Sequence, residues 1–369
     1  MIKLIIFGIT GDLAQRKLLP ALESIVNETP DLSIIGVSRR DVSVDEVLGE
    51  RASLKTVSSM FTMDLSDKTA YGSLLEHLGE PKPGDRRLYY LAVPPGAATD
   101  IADLLGEAGL NAPQDTILFE KPFGYDYESA KEYIARTAKY YREDQILRID
   151  HYMAKEIAYE IIRLRHDAEN HHYHWGTGVV ERVEIVAHET LGVERRAAFY
   201  EQIGATRDVI QGHLMQLLSL VLMRPPQDFS KLPGARLSAL EKLNPVRLED
   251  VATAQYDGYR EEVASPHSKV ETYARMTLYS SDPNWHGVPL TLETGKKMPE
   301  KKTFIKVVYR DGREDVFDES AVVFETNMRL KDAYEHVLMA AINGDRAIFT
   351  TSEEVLASWR VLETAIHVA

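Results

Sequence analysis

Along the first 150 residues, short runs of apolar, β-branched and aromatic residues alternate with longer segments of helical spacing. Lys3–Phe7, Ser33–Val37, Arg87–Val93, Thr116–Phe119 and Ile146–Ile149 read as strands. Amphipathic stretches such as Tyr127–Tyr141 read as the helices between them. The strands are apolar almost throughout, as a sheet covered on both faces requires. That βαβα order predicts a parallel, doubly wound sheet of the Rossmann type. Ligands bind beyond the carboxyl ends of such strands.

After Asp150 the order changes. The pattern predicts a helix over Tyr152–Asn170, a β-rich run at Val179–Glu189 and a long apolar helix over Asp208–Met223. Further strands are expected at Lys269–Tyr279, Val288–Thr294 and Thr303–Tyr309, with closing helices at Lys331–Asn343 and Ser352–Ile366. Segregated strands and helices of this kind predict an α+β unit with a mainly antiparallel sheet. The expected organisation is therefore a nucleotide-binding domain over residues 1–150 and a substrate-binding and catalytic domain over residues 151–369.

Composition narrows the function. The 369 residues suffice for a sizeable core in two units. An excess of 57 acidic over 43 basic side chains, a net charge of −14, disfavours partners such as nucleic acid or an anionic membrane. Any phosphate must then be held in a local basic pocket. The absence of cysteine excludes disulfides, thiol catalysis and thiolate metal sites, and it fits a reducing cytoplasm. The apolar start, MIKLIIF, is too short for a secretion signal and runs into Gly8, so it reads as a buried strand. No stretch approaches the roughly 18 apolar residues of a spanning helix, so the expectation is a soluble chain without membrane contact.

The first candidate site is IIFGITGDLAQRK. Gly8 and Gly11 stand where a strand turns into a helix, so a phosphate would meet unpaired backbone N–H groups and the positive helix end. Gly8 permits a tight turn, Gly11 a close approach of backbone to pyrophosphate, and Ala14 a helix lying against the sheet. An ordinary strand-to-helix turn would look the same. The next strand ends in Ser38-Arg39-Arg40, where an NAD enzyme usually carries an acid for the ribose hydroxyls. Arg39 can instead pair with a 2′-phosphate, which favours NADP over NAD as the cofactor; a solvated arginine pair is the plainer alternative.

A second cluster is RIDHYMAKE. His151 and Lys155 are four apart and Tyr152 and Lys155 three apart, so they can converge near a helix start and suit a phosphate. Equally, Asp150 could cap the helix and leave the others on the surface. In RDVIQGHLMQ, His213 precedes a strongly apolar stretch and sits at a boundary between core and cleft, unless it is a satisfied core histidine.

Four segments, GITGDLAQRKLLPAL, EKPFG, RIDHYMAKE and RDVIQGHLMQ, together resemble the glucose-6-phosphate dehydrogenase family in order and spacing. Weaker likeness continues through WHGVPLTLETGKKM and LKDAYEHVLMAAINGD to SEEVLASWRVL. The resemblance implies an NADP-dependent oxidoreductase that converts the C1 hydroxyl of glucose 6-phosphate to a lactone. By it, Gly8, Thr10, Gly11, Asp12, Leu13 and Arg39 bind the cofactor, and Lys121 contacts both cofactor and substrate. His151, Tyr152 and Lys155 hold the phosphate. Glu189, Asp208, Lys296 and Lys301 fall where the family contacts sugar hydroxyls or keeps a cation near the substrate. His213 becomes the general base, with Asp150 orienting its imidazole; a base of pKa near the working pH suits this proton removal.

Three departures stand out. Gly212 replaces the asparagine usual before the base, and a helical glycine costs about 1 kcal/mol relative to alanine, which hints at an altered substrate pocket. Met153-Ala154 replace leucine and glycine, a change compatible with a helix there. The chain is also short for the family, with the missing length falling between Tyr309 and Lys331. That leaves open a homo-oligomer built on this sheet and a second NADP site. A dehydrogenase of another sugar phosphate and a non-catalytic binding relative are the alternatives. His171, His172 and His174 crowd one loop without matching acid or cysteine ligands, so no metal site is expected.

Overall fold

A computed structural model describes residues 1–166, 175–318 and 332–366. The described residues form two compact units, one of residues 1–123, 131–151 and 332–352, the other of residues 124–130, 152–166, 175–318 and 353–366. His171, His172 and His174 lie outside the described residues, as does residue 331, where the helix was expected to begin.

In the first unit, six strands, β1 (Ile2–Phe7), β2 (Leu32–Ser38), β3 (Ser58–Thr62), β4 (Arg86–Leu91), β5 (Thr116–Phe119) and β6 (Ile146–Arg148), pair in the order β3-β2-β1-β4-β5-β6. Every pairing is parallel. Leu4–Phe7, Leu88–Leu91 and Ile117–Phe119 are wholly buried, which explains their unbroken apolar runs. Each such side chain contributes roughly 1.5–3 kcal/mol relative to exposure. The order reverses between β1 and β4, which puts the crevice beyond their carboxyl ends.

The helix Ala333–Asn343 packs on the helix Leu19–Ile25 of this first unit, although the sequence pattern had grouped it with the second. Arg86, at the start of β4, donates to the terminal helix carbonyls of Ile342 and Ala341 at 3.0 and 3.1 Å. These are among the last carbonyls of the helix, where its own ladder runs out; Ala341 also accepts the Gly344 N–H at 3.2 Å, and the guanidinium adds partners that tie the segment down. Arg346 likewise donates to the carbonyl of Glu143 at 2.7 Å.

The second unit is built on strands β7 (Val180–His188), β8 (Val251–Ala254), β9 (Tyr273–Leu278), β10 (Leu290–Gly295), β11 (Lys302–Tyr309) and β12 (Glu314–Asp318), in the order β12-β11-β7-β10-β9-β8. All pairings are antiparallel except β7 with β10. Val183, Ile185 and Ala187 alternate inward with Leu290, Leu292, Ile305 and Val307. The opposite face carries paired charges, Arg182–Glu184 along β7 at 2.8 Å and Lys306–Glu314 between β11 and β12 at 2.6 Å. The helix Met215–Leu222, buried at every position, fills the core and accounts for the apolar run after His213. A fully buried ion pair, Arg236–Glu354 at 2.6 Å, joins the helices Leu232–Glu241 and Ser352–Ile366.

The helix expected from Tyr152 begins only at Glu156. Residues 151–155 turn instead, with the Lys155 N–H donating to the Tyr152 carbonyl at 3.2 Å and the Lys155 carbonyl accepting from Ala158 at 3.0 Å. Met153 and Ala154, expected inside a helix, are fully buried in this turn. Their apolar burial fixes the turn where the helical spacing alone had suggested continuous helix.

Candidate active site

In the first unit the Gly8–Gly11 turn follows β1 directly. Gly8 has a φ of +82°, and a Cβ there would lie 2.4 Å from the Ala92 carbonyl oxygen, so only glycine satisfies both backbone and space. The Gly11 N–H donates to the Gly8 carbonyl at 2.8 Å, and a Cβ on Gly11 would meet that oxygen at 3.0 Å. Helix begins at Asp12, passes through a wider π turn at Ala14–Leu18 and continues into Leu19–Ile25. Thr10, Asp12 and Leu13 thus stand at its first turn, beside the reversal of strand order.

Beyond β2, the buried Ser38 accepts the Arg40 N–H on its Oγ at 3.1 Å, turning the chain so that Arg39 and Arg40 are exposed. Arg39 lies close enough to help hold the Asp64 carboxyl below its usual range, after the stronger hydrogen bonds from Ser66.

Lys121 follows β5, and the buried Asp150 follows β6, where the N–H of Ile149, the residue just past the strand, donates to the Phe119 carbonyl at 3.0 Å. Between them stands a group that the sequence reasoning missed, although it opens the EKPFG motif. Glu120 accepts a 2.5 Å hydrogen bond from the Tyr90 hydroxyl. Burial pushes its carboxyl up to about 7, with Tyr90 and Lys121 pulling it back and Asp150 adding to the rise.

In the second unit the parallel pairing of β7 and β10 brings their carboxyl ends side by side, so Glu189 and Lys296 emerge next to each other. Lys296 is bonded to Glu189, stands 3.7 Å from Asp208 and places its Nζ 5.2 Å from the centre of the Tyr200 ring. Lys296 is buried and Asp208 nearly so. Arg196 approaches the other Asp208 oxygen at 3.8 Å. The result is a compact group of two carboxylates and two cations, suited to hydroxyls that both donate and accept. Lys301 is exposed just before β11 and takes no part in the ion pairs of this group.

Asp208 and His213 share the nine-residue π-helical segment Thr206–Leu214. At its end the Met215 N–H reaches the Ile210 carbonyl, five residues back. In an α-helix residues five apart point about 140° from each other, at 100° per residue. The wider π turn reduces that divergence, and such segments are frequent at functional sites. Gly212 is half-buried in this segment while His213 is buried. The segment's first turn is held by Glu271, a buried carboxylate also missed from sequence, whose Oε1 accepts the Thr206 N–H at 2.9 Å. Gly204, with φ +66°, leaves room for that carboxylate, since a Cβ would lie 2.4 Å from Glu271 Oε2. Nothing in the local sequence marks Glu271 as a partner of residues more than 60 positions away.

Against His213 lies the turn 151–155. The Tyr152 ring stacks on the His213 imidazole with centroids 4.4 Å apart and planes at 18°, and Lys155 Nζ stands 3.8 Å from the centre of the Tyr152 ring. Seven of the residues singled out from sequence thus form two groups carried by one helical segment: Glu189, Lys296 and Asp208, and Lys155, Tyr152 and His213, with Gly212 beside His213.

The N-terminal residues 5–159 match the family profile described as glucose-6-phosphate dehydrogenase, NAD binding domain, and residues 162–330 match the C-terminal domain of the same family. Glucose-6-phosphate 1-dehydrogenase of Chlamydia muridarum is 30% identical, over 99% of this chain and 89% of its own length. The chain belongs to the glucose-6-phosphate dehydrogenase family. It is accordingly an oxidoreductase with a nicotinamide-nucleotide-binding unit. That alignment, over 453 positions, is longer than the chain, so the relative carries segments absent here.

Solved structures agree. Glucose-6-phosphate 1-dehydrogenase from Mycobacterium avium superposes with a TM-score of 0.88 at 29% identity, covering 99% of this chain and 91% of that one. A glucose-6-phosphate dehydrogenase in complex with its substrate glucose 6-phosphate gives the same TM-score and coverage at 25% identity. Among the described residues no group of side chains could hold a metal ion, and no helix is long and apolar enough to cross a membrane.

Proposed function

We propose that this family member oxidises the C1 hydroxyl of glucose 6-phosphate to 6-phosphogluconolactone, with NADP as the acceptor. The observation that carries the reading is the pair of polar groups on the Thr206–Leu214 segment, one fit for sugar hydroxyls and the other joining an imidazole to a phosphate-binding cation. The Gly8 turn also fits the cofactor, because the backbone approach that a Cβ would block is what a pyrophosphate needs.

In this reading Lys155, with His151 and Tyr152, holds the phosphate, and Lys121 contacts both substrate and cofactor. Glu189, Asp208 and Lys296 fix the sugar hydroxyls, while Lys301 adds a cation at the rim. His213 takes the C1 hydroxyl proton as the C1–H hydride departs, and Asp150 holds the imidazole in the competent tautomer and supports its positive charge. Gly8, Thr10, Gly11, Asp12 and Leu13 receive the pyrophosphate, and Arg39 the 2′-phosphate. The bound nicotinamide supplies the hydride acceptor. The same reading sets the enzyme in the cytoplasm and allows association into homo-oligomers.

Rates over a panel of hexose 6-phosphates, with NADP or NAD, test it. The highest kcat/KM is expected for glucose 6-phosphate with NADP. Half-buried Gly212 beside the base makes another hexose phosphate the competing outcome, and no turnover of any member would overturn the reading.

A further inference from the structure

We infer that Tyr152 is a positioning residue for the base, and that its ring couples occupancy of the phosphate site to the working orientation of His213. The inference rests on the dehydrogenase reading above and adds a role for the ring itself, distinct from any contact of its hydroxyl with phosphate.

The geometry is specific. Aromatic pairs pack with centroids about 4.5–7 Å apart, and the 4.4 Å and 18° of Tyr152 and His213 mark close face-to-face contact. A cation acts on an aromatic face within about 6 Å, and Lys155 Nζ stands at 3.8 Å. Tyr152 is itself held: the Lys155 N–H closes the turn on its carbonyl, and the next two side chains, Met153 and Ala154, are fully buried. His213 is fixed at its Cα by the helical segment, but its ring torsions are not fixed by the backbone. The stack restricts them.

The ring also shares charge with both neighbours. Its π-electron cloud favours the positive charge that grows on the imidazole during proton transfer, and the Lys155 ammonium, 3.8 Å from the ring centre, draws on the same cloud. A phosphate dianion pairs with that ammonium and weakens its hold on the ring. A filled phosphate site therefore leaves the ring to the imidazolium when the sugar is in place, and an empty one does not.

Two variants and an unphosphorylated substrate separate this role from simple phosphate binding. Tyr152→Phe keeps the ring and should raise KM for glucose 6-phosphate with kcat within about twofold. Tyr152→Leu removes the stack and should lower kcat about tenfold, the size expected for loss of an aromatic partner at a reacting group. With glucose as substrate, inorganic phosphate should raise kcat several-fold in the wild type and in Tyr152→Phe, but not in Tyr152→Leu. Equal kcat in the two variants would overturn the inference. So would a wild-type enzyme whose glucose turnover ignores inorganic phosphate at concentrations that compete with glucose 6-phosphate, a measurement that stands even if Tyr152→Leu does not fold. Wild-type inactivity on glucose 6-phosphate would instead count against the underlying reading.

Discussion

Glu271 anchors the segment that carries Asp208 and His213, and replacing it should damage stability and catalysis together. Its carboxylate is buried, accepts the Thr206 N–H at 2.9 Å and lies beside Gly204 at the first turn of a helical stretch that runs on to Leu222. Glu271→Gln preserves volume and still offers an amide oxygen to Thr206. It loses the charge at the helix start, at a cost of about 1 kcal/mol. Glu271→Ala leaves the Thr206 N–H unpaired in a buried site and opens a cavity, for about 3 kcal/mol in all. At 2–4 °C per kcal/mol for a unit of this size, the alanine variant should melt roughly 6–12 °C lower and the glutamine variant only a few degrees lower. Calorimetry with steady-state kinetics measures both effects. The alanine variant should lose kcat more than tenfold as the segment frays, while glutamine retains most of it. An alanine variant melting within a degree of wild type at full kcat would refute the anchoring argument.

Two further outcomes are expected. Arg39→Ala should weaken NADP roughly 10- to 100-fold, the equivalent of one or two charge-assisted hydrogen bonds, while NAD changes less than about twofold; parallel losses would remove the 2′-phosphate assignment. Glu120 should make stability fall with rising pH. Its folded carboxyl sits near 7 against an ordinary value of 4.5, so the folded chain holds a proton that the unfolded chain releases, and stability declines as pH rises from about 4.5 through 7. The slope is worth at most about 3 kcal/mol, and Glu120→Gln should flatten it in Tm measured from pH 5 to 8; superimposable curves would sink the idea.

Much of the first sheet was legible because its strands are buried on both faces and leave unbroken apolar runs, as in Leu4–Phe7 and Leu88–Leu91. Of the four edge strands, Ile146–Arg148 was legible and the other three were not. Ser58–Thr62, Val251–Ala254 and Glu314–Asp318 bury few side chains and are held by backbone pairing to one neighbour, which periodicity does not report. The Gly8 turn could be read because φ and close approach both demand glycine. The turn at Met153-Ala154 and the π segment at Thr206–Leu214 could not, since each looks like ordinary helix in spacing and differs only in its hydrogen-bond register. The helix Ala333–Asn343 was misassigned for a similar reason: Arg86, more than 250 positions away, decides where it docks. Of the site, the residue types came from motifs and the family resemblance, while the supports, Glu120 and Glu271, emerged only from long-range contacts.

The central claim is that His213 removes the C1 hydroxyl proton, and the comparison of His213→Asn with wild type tests it most directly. Asparagine approximates the ring's polar size without a titratable nitrogen, so glucose 6-phosphate should bind within about threefold of wild type by calorimetry. The loss of a general base should at the same time lower kcat by about 10²–10⁴ in the NADPH absorbance assay. A variant that binds and turns over like the wild type would contradict the account.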